Sequence, residues 1–246
     1  MVQSVKKAMI LAAGFGKRLR PITETIPKPL VPVGGRTMLD RSLDLAVAAG
    51  VEQAVVNVHY LADRIVAHCA GRDRPQIAIS DETAGILETG GGVVKALPLL
   101  GSDPFLLLNA DTFWVEWGRP NLAAMIGEFD PARMDVLLML CRLSDTTGHA
   151  GGGDFRMDSE GRLTRLADKS DPAGLLYAGA TIYNPAIFEG AAAEPHSLNL
   201  YYDRAIAKGR LFGHIMQNGH WFTVGTPAAL PEAEAKLKAL QAVSSD

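Results

Sequence analysis

Along the first 143 residues, short unbroken apolar runs alternate with stretches whose apolar positions recur every three to four residues. The runs at 8–13, 54–59, 77–80, 105–109 and 136–141 are rich in Val, Ile, Leu and Ala, with no polar alternation. Strands of that kind are buried on both faces, as in a mostly parallel sheet covered by helices. Helical spacing falls between them at 38–49, 62–70, 89–100 and 122–129. After residue 143 the texture changes. A glycine-rich loop at 149–153 leads to two short alternating runs, DFRMD and RLTRLAD, parted by a turn at 159–161. Then come the strand LLYAGATIYNP, a helix at 198–208, and a hairpin expected across Asn218 and Gly219. Thr226 and Pro227 are placed to cap a last helix reaching about residue 240. No linker, repeat or low-complexity segment intervenes. The pattern predicts one α/β domain with a Rossmann-like, mostly parallel, mixed sheet flanked by helices. Within it, residues 1–143 form the first part, 144–226 a smaller mixed part and 227–246 a C-terminal helix.

Composition adds mainly exclusions. With 246 residues, 48% of them hydrophobic and 21% charged, the chain can bury a sizeable core. A net charge of −3 argues against a nucleic-acid binder working by bulk electrostatics. No apolar run approaches the roughly 20 residues of a membrane-spanning helix. Residues 1–8 are short and polar and pass into a strand, unlike a signal peptide. Cys69 and Cys141 sit in apolar contexts without metal-type spacing and are expected as buried, reduced thiols, which points to the cytoplasm. The six histidines are scattered without a zinc pattern; only His149 falls in a candidate substrate loop, and Trp221 reads as a core anchor.

The chemistry begins where the first apolar run ends, in ILAAGFGKRLRPIT. Neither the dinucleotide fingerprint nor the P-loop fits, because Leu19 stands where a third glycine is needed and the Gly14–Gly16 spacing is too short. What remains is a glycine loop at the C-terminal edge of a parallel sheet, where open α/β folds bind ligands. Glycine lets backbone N–H groups approach phosphate oxygens, and Arg18 offers a bidentate fork. A basic, solvated loop is the alternative. Lys28, held between two prolines in TIPKPLVPVGG, can aim a point charge at a fixed target. Asp111, just past the strand in LLLNADTF, reaches the same edge. One carboxylate beside a cationic phosphate cradle suits Mg²⁺, which keeps waters and substrate oxygens as ligands.

Together, LAAGFGKRLRPIT…PKPLVPVGG and NAD resemble the sugar-phosphate nucleotidylyltransferases, and the likeness runs on through LETGGGVVKALPLL to HWFTVGTP. The resemblance implies transfer of a nucleotidyl group from a nucleoside triphosphate to a sugar 1-phosphate, with release of pyrophosphate. ETGGG…KALPLL and the GHAGGGDF loop resemble the branch that uridylylates N-acetylmuramic acid 1-phosphate in peptidoglycan recycling. A GTP-using mannose 1-phosphate guanylyltransferase is the alternative, and a nucleotide-binding module that has lost catalysis is a second.

The attacking phosphate is already anionic, so positioning and charge neutralisation carry the catalysis. By resemblance, Leu11, Ala12, Ala13, Gly14, Gly16 and Lys17 hold the triphosphate. Arg18 stabilises the leaving pyrophosphate, and Lys28 bridges the α-phosphate and the sugar phosphate. Gly85, Gly90 and Gly91 admit the base. Asn109 and Asp154 read sugar hydroxyls, and Asp168 and Lys169 hold the sugar phosphate. Asp111 binds Mg²⁺. One departure stands out: the family's late motif Trp-x-Asp-(Val/Ile)-Gly-Thr has Thr223 at the position of its second metal ligand. A hydroxyl there brings no charge, which bears on metal affinity. No hexapeptide-repeat β-helix follows, so a monomer or weak dimer is expected, with no nucleic-acid or membrane partner.

Overall fold

The structure is a computed structural model and describes residues 5–243. The expectations for residues 1–4 and for the last three residues lie outside the described residues. In chain order come β1 (Lys7–Leu11), the hairpin β2 (Pro32–Val33) and β3 (Arg36–Thr37), α1 (Met38–Ala48), β4 (Gln53–Val58), α2 (Ala62–Ala70) and β5 (Gln76–Asp81). Next are α3 (Glu88–Leu100), β6 (Phe105–Asn109), β7 (Thr112–Glu116), α4 (Asn121–Glu128), β8 (Val136–Arg142) and β9 (Thr146–Thr147). The chain ends with β10 (Phe155–Met157), β11 (Leu163–Arg165), β12 (Leu175–Tyr183), α5 (Asn199–Ala207), β13 (Leu211–Ile215), β14 (Gly219–Thr223) and α6 (Ala229–Val243).

The main sheet runs β5-β4-β1-β6-β12-β8-β13, parallel throughout except for β12, which opposes both β6 and β8. β10 and β11 extend one end of β12. Because β12 threads between β6 and β8, the segments on either side of residue 143 share one sheet. Successive residues of each strand face opposite helical layers, which is why these runs lack polar alternation. Ala8, Ile10, Val56, Leu106 and Leu108 pack under α1, α2 and α4. Met9, Val55, Phe105 and Leu107 pack under α3 and α5. α1 starts where it does because Thr37 Oγ1 accepts the Asp40 N–H at 3.0 Å, satisfying one orphan donor of the first turn.

A second, three-stranded sheet, β7-β14-β9, stands beside the first and packs with α6 and the β2–β3 hairpin around Leu19, Phe113, Phe222 and Leu237. It corrects one expectation. β13 and β14 do not form a hairpin across Asn218 and Gly219. β13 pairs in parallel with β8, and β14 runs antiparallel to β7 and parallel to β9. The turn exists, with Asn218 at φ 46°, but it carries the chain from one sheet to the other. Both strands have apolar faces to bury, and each finds a different core. Trp221 anchors the junction as expected, buried, with its indole N–H on the Ala178 carbonyl at 2.8 Å.

Candidate active site

The C-terminal ends of β1 and β6 open into a cavity of about 420 Å³ lined by Leu11, Ala12, Gly14, Phe15, Gly16, Lys17, Arg18, Lys28, Pro29, Ala110, Asp111 and Gly225. Gly16 has φ 63°, a left-handed turn that folds the loop back so that its carbonyl accepts the Thr23 hydroxyl at 2.9 Å. That turn leads into a short helical turn, Lys17–Leu19, which buries Leu19 and leaves Lys17 and Arg18 exposed. Lys17 lies over the Phe15 ring at 5.2 Å. Arg18 has no ion pair among the described residues; its guanidinium stands against Gly225 across the cavity mouth.

Lys28 occupies the turn Lys28–Leu30, stiffened by its flanking prolines, and is only 8% exposed. Its ammonium donates to Asp111 Oδ2 at 2.7 Å. The pair orients both side chains toward the cavity, and the Asp111 side chain remains 41% exposed. The structure thus brings together Leu11, Ala12, Gly14, Gly16, Lys17 and Arg18 of one loop with Lys28 and Asp111 from separate segments of the chain. Ala12 differs from the expectation in one respect: its N–H already donates to Asn57 Oδ1 at 2.7 Å, so it shapes the loop without offering a free donor.

A second cavity of about 450 Å³ meets the first at Leu11, Gly14 and Asp111 and adds Ala13, Asn57, Ile86, Glu88, Thr89, Asn109 and Ser197. Among the described residues it is lined by no Lys or Arg but by the carboxylates of Glu88 and Asp111, so the two compartments differ in charge. Gly85 is exposed near its rim. Gly90 and Gly91 are buried, and their close approach is to protein. Both N–H groups donate to the His196 carbonyl, at 2.7 and 3.3 Å, and a Cβ on either would collide with residues 194–196. Glycine inside a helix costs about 1 kcal/mol relative to alanine; here it lets that segment dock on α3.

Asp154 and Lys169 meet each other, but neither lines the two cavities. Lys169 Nζ lies 3.1 Å from Asp154 Oδ1 and 2.7 Å from the Gly153 carbonyl, while Asp154 Oδ2 accepts the Tyr177 N–H at 3.1 Å. Asp168 turns away into its own loop. The hydroxyl and N–H of Ser170 bind its carboxylate and hold it below the usual range. Thr223 ends β14 opposite Thr112, the residue after Asp111, so it reaches the neighbourhood of the carboxylate without lining the cavity. Among the described residues, no group of three or more His, Cys, Asp or Glu side chains comes together as a metal site. Asp111 fits an ion that takes one carboxylate and draws its remaining ligands from phosphate and water, which is the habit of Mg²⁺. Cys69 and Cys141 are buried and free; burial pushes their thiols up to about 11 and about 12.

Sequence reasoning did not find Asn57, Glu82, Glu88, Thr89, Ser197 or Gly225. A polar residue in the otherwise apolar run VVNVH was the available signal for Asn57; Glu88, Thr89 and Gly225 lay inside the motifs LETGGG and HWFTVGTP, and nothing local marked Glu82 or Ser197.

A parallel sheet with a cationic loop and a lone carboxylate at its C-terminal edge defines a phosphate-handling α/β transferase. The chain matches the Nucleotidyl transferase family over residues 7–239 and belongs to it. It is 43% identical over 241 residues to the N-acetylmuramate alpha-1-phosphate uridylyltransferase of Caulobacter vibrioides, covering 96% of this chain and 99% of that one. It is 30% identical to the mannose-1-phosphate guanyltransferase of Aspergillus fumigatus, covering 90% of this chain but 61% of that protein. In fold it resembles UDP-glucose pyrophosphorylase solved with UDP-glucose, at a TM-score of 0.76 and 17% identity, over 96% of this chain and 99% of that one.

Proposed function

We propose that this nucleotidyltransferase moves a uridylyl group from UTP to N-acetylmuramic acid 1-phosphate and releases pyrophosphate. Transfer to a phosphate acceptor is carried by one observation: Lys28, Arg18 and Asp111 converge on one cavity at the sheet edge. The choice of UTP and N-acetylmuramic acid 1-phosphate is supported by the 43% identity to the Caulobacter enzyme across nearly its whole length.

In this reading the sugar phosphate attacks the α-phosphorus in line and needs no general base, since its oxygen is already anionic. The phosphate loop and Lys17 seat the triphosphate. Arg18 meets charge that builds on the departing pyrophosphate, as a preorganised donor should. Lys28, freed from Asp111 in part when phosphate arrives, draws the two reacting phosphates together against their repulsion. Asp111 would hold Mg²⁺, whose charge offsets that of the phosphates. In this reading Asp154 and Lys169 serve the acceptor, and Asn109 lines the second compartment. Among the described residues no helix is long and apolar enough to cross a membrane. A cytoplasmic enzyme of cell-wall sugar recycling, monomeric or weakly dimeric, completes the reading.

Incubation with UTP, N-acetylmuramic acid 1-phosphate and Mg²⁺ tests it. Pyrophosphate and the UDP-sugar are expected in equal amounts. Pyrophosphate no higher than in controls lacking the acceptor would contradict it.

A further inference from the structure

One buried hydrogen-bond chain joins two walls of the site. The Ala12 N–H donates to Asn57 Oδ1 at 2.7 Å, Asn57 Nδ2 donates to Glu82 Oε1 at 2.7 Å, and the Leu87 N–H donates to Glu82 Oε2 at 3.2 Å. Asn57 is 2% exposed and Glu82 is 0% exposed. Glu82 has no ion pair among the described residues. A carboxylate buried without a counter-charge is expensive, so its presence asks for a reason that packing does not give.

Hydrogen-bond parity gives the reason. The two ends of the chain are peptide N–H groups, fixed as donors. An amide side chain has one accepting and one donating end, whereas a carboxylate only accepts. The amide at 57 turns its oxygen to Ala12, so its NH₂ faces residue 82. The side chain at 82 must then accept from both Asn57 and Leu87. Two amides in series would set one N–H against another somewhere along the chain, and flipping either amide only moves the clash. One acceptor-only member is required between two donor ends.

We infer that Glu82 is a positioning residue that fixes the phosphate loop at Ala12 relative to the start of α3 at Leu87. Its own backbone is pinned by the Val58 carbonyl, 2.8 Å from its N–H, and by Gly85 N–H and His59 Nδ1, which bond its carbonyl at 3.0 and 2.7 Å. α3 crosses directly over the chain: a Cβ at Gly92 would stand 2.7 Å from Glu82 Oε1 and 3.1 Å from Asn57 Nδ2. The side chains therefore cannot drift to relieve a mismatch. Ala12 lines the cationic compartment, and Asn57 lines the second one, whose wall includes Ile86 and Glu88 on either side of Leu87. Asp154 and Lys169 take no part.

The kinetic half of the test rests on the proposed function; the hydrogen-bond half does not. Three variants decide it: Glu82→Gln, Asn57→Asp, and both together. Glu82→Gln places donor against donor, and Asn57→Asp places carboxylate against carboxylate. The double variant satisfies every link again, with the middle bond reversed: the new carboxylate at 57 accepts from Ala12 and from the amide at 82, whose oxygen accepts from Leu87. Each single variant is expected to melt earlier and to raise KM for UTP about tenfold, leaving KM for the sugar phosphate within about twofold. The double variant should recover both melting temperature and KM for UTP. A Glu82→Gln protein with unchanged melting and unchanged KM for UTP would overturn the inference, as would a double variant no better than the worse single one. Should the unaltered protein show no transfer, the functional reading fails, and the three melting temperatures still decide this one.

Discussion

Arg18 is exposed and has no ion pair among the described residues, so the fold gains little from its charge and the proposed site has full use of it. Arg18→Ala should lower turnover roughly 10²–10³-fold, in line with loss of one preorganised donor. Its stability should change by no more than about 0.5 kcal/mol, the usual range for an exposed position. Steady-state rates beside a melting curve check both. His220 makes the opposite case. It is 7% exposed, with Nε2 2.8 Å from Thr147 Oγ1, and burial, with Lys236 adding to it, pushes its imidazole below the ordinary 6.5. The folded form therefore holds a proton less readily than the unfolded chain. The stability this contributes is present above pH 6.5 and is lost as pH falls below it. Between pH 7 and 5, the melting temperature should fall more steeply for the unaltered protein than for His220→Gln. Individual residues were legible where their chemistry is strong and local. Lys28 between prolines and Asp111 after a strand announce themselves, whereas Asn57 and Glu82 acquire meaning only when β4 and β5 lie side by side.

At the scale of elements, the loop between β9 and β10 is held by contacts and is not a free tether. A Cβ on Gly152 would strike the Lys169 carbonyl, while one on Gly151 would only touch the His149 ring, about 3.0 Å away. Gly152→Ala should therefore displace Lys169 from Asp154 and raise KM for the sugar phosphate about tenfold, given how steeply rate depends on placement. Gly151→Ala should stay within about twofold of the unaltered protein. Parallel kinetics on the two variants separate them. At the end of β14, Thr223→Asp would put a second carboxylate across from the Thr112 strand position, beside Asp111. The Mg²⁺ concentration for half-maximal rate should fall, with little gain at saturation. A variant that melts much earlier with no shift in Mg²⁺ dependence would place Thr223 outside the metal site. The strands and helices of the parallel half were legible because each is a long apolar run with a single periodicity. The β13–β14 connection was not. A turn signal reports that the chain reverses, not which sheet receives the next strand, and that choice was made by two separate cores.

For the whole molecule, the fold sorts charge. The cations Lys17, Arg18 and Lys28 gather in one compartment, the adjoining one has none among the described residues, and Asp111 stands where they meet. In the proposed reading, that arrangement seats a triphosphate with its nucleoside to one side and brings an anionic acceptor to the junction. The sheet order that builds it follows from β12 running between β6 and β8, a long-range pairing with no local sequence signal. Which base and which sugar complete the site is the central claim, and a small matrix tests it most directly. Pyrophosphate release is measured with UTP and GTP, each against N-acetylmuramic acid 1-phosphate and mannose 1-phosphate at saturating Mg²⁺. UTP with N-acetylmuramic acid 1-phosphate should give the highest kcat/KM. If GTP with mannose 1-phosphate were better by about tenfold, a difference of roughly 1.4 kcal/mol in transition-state stabilisation, the account would be contradicted.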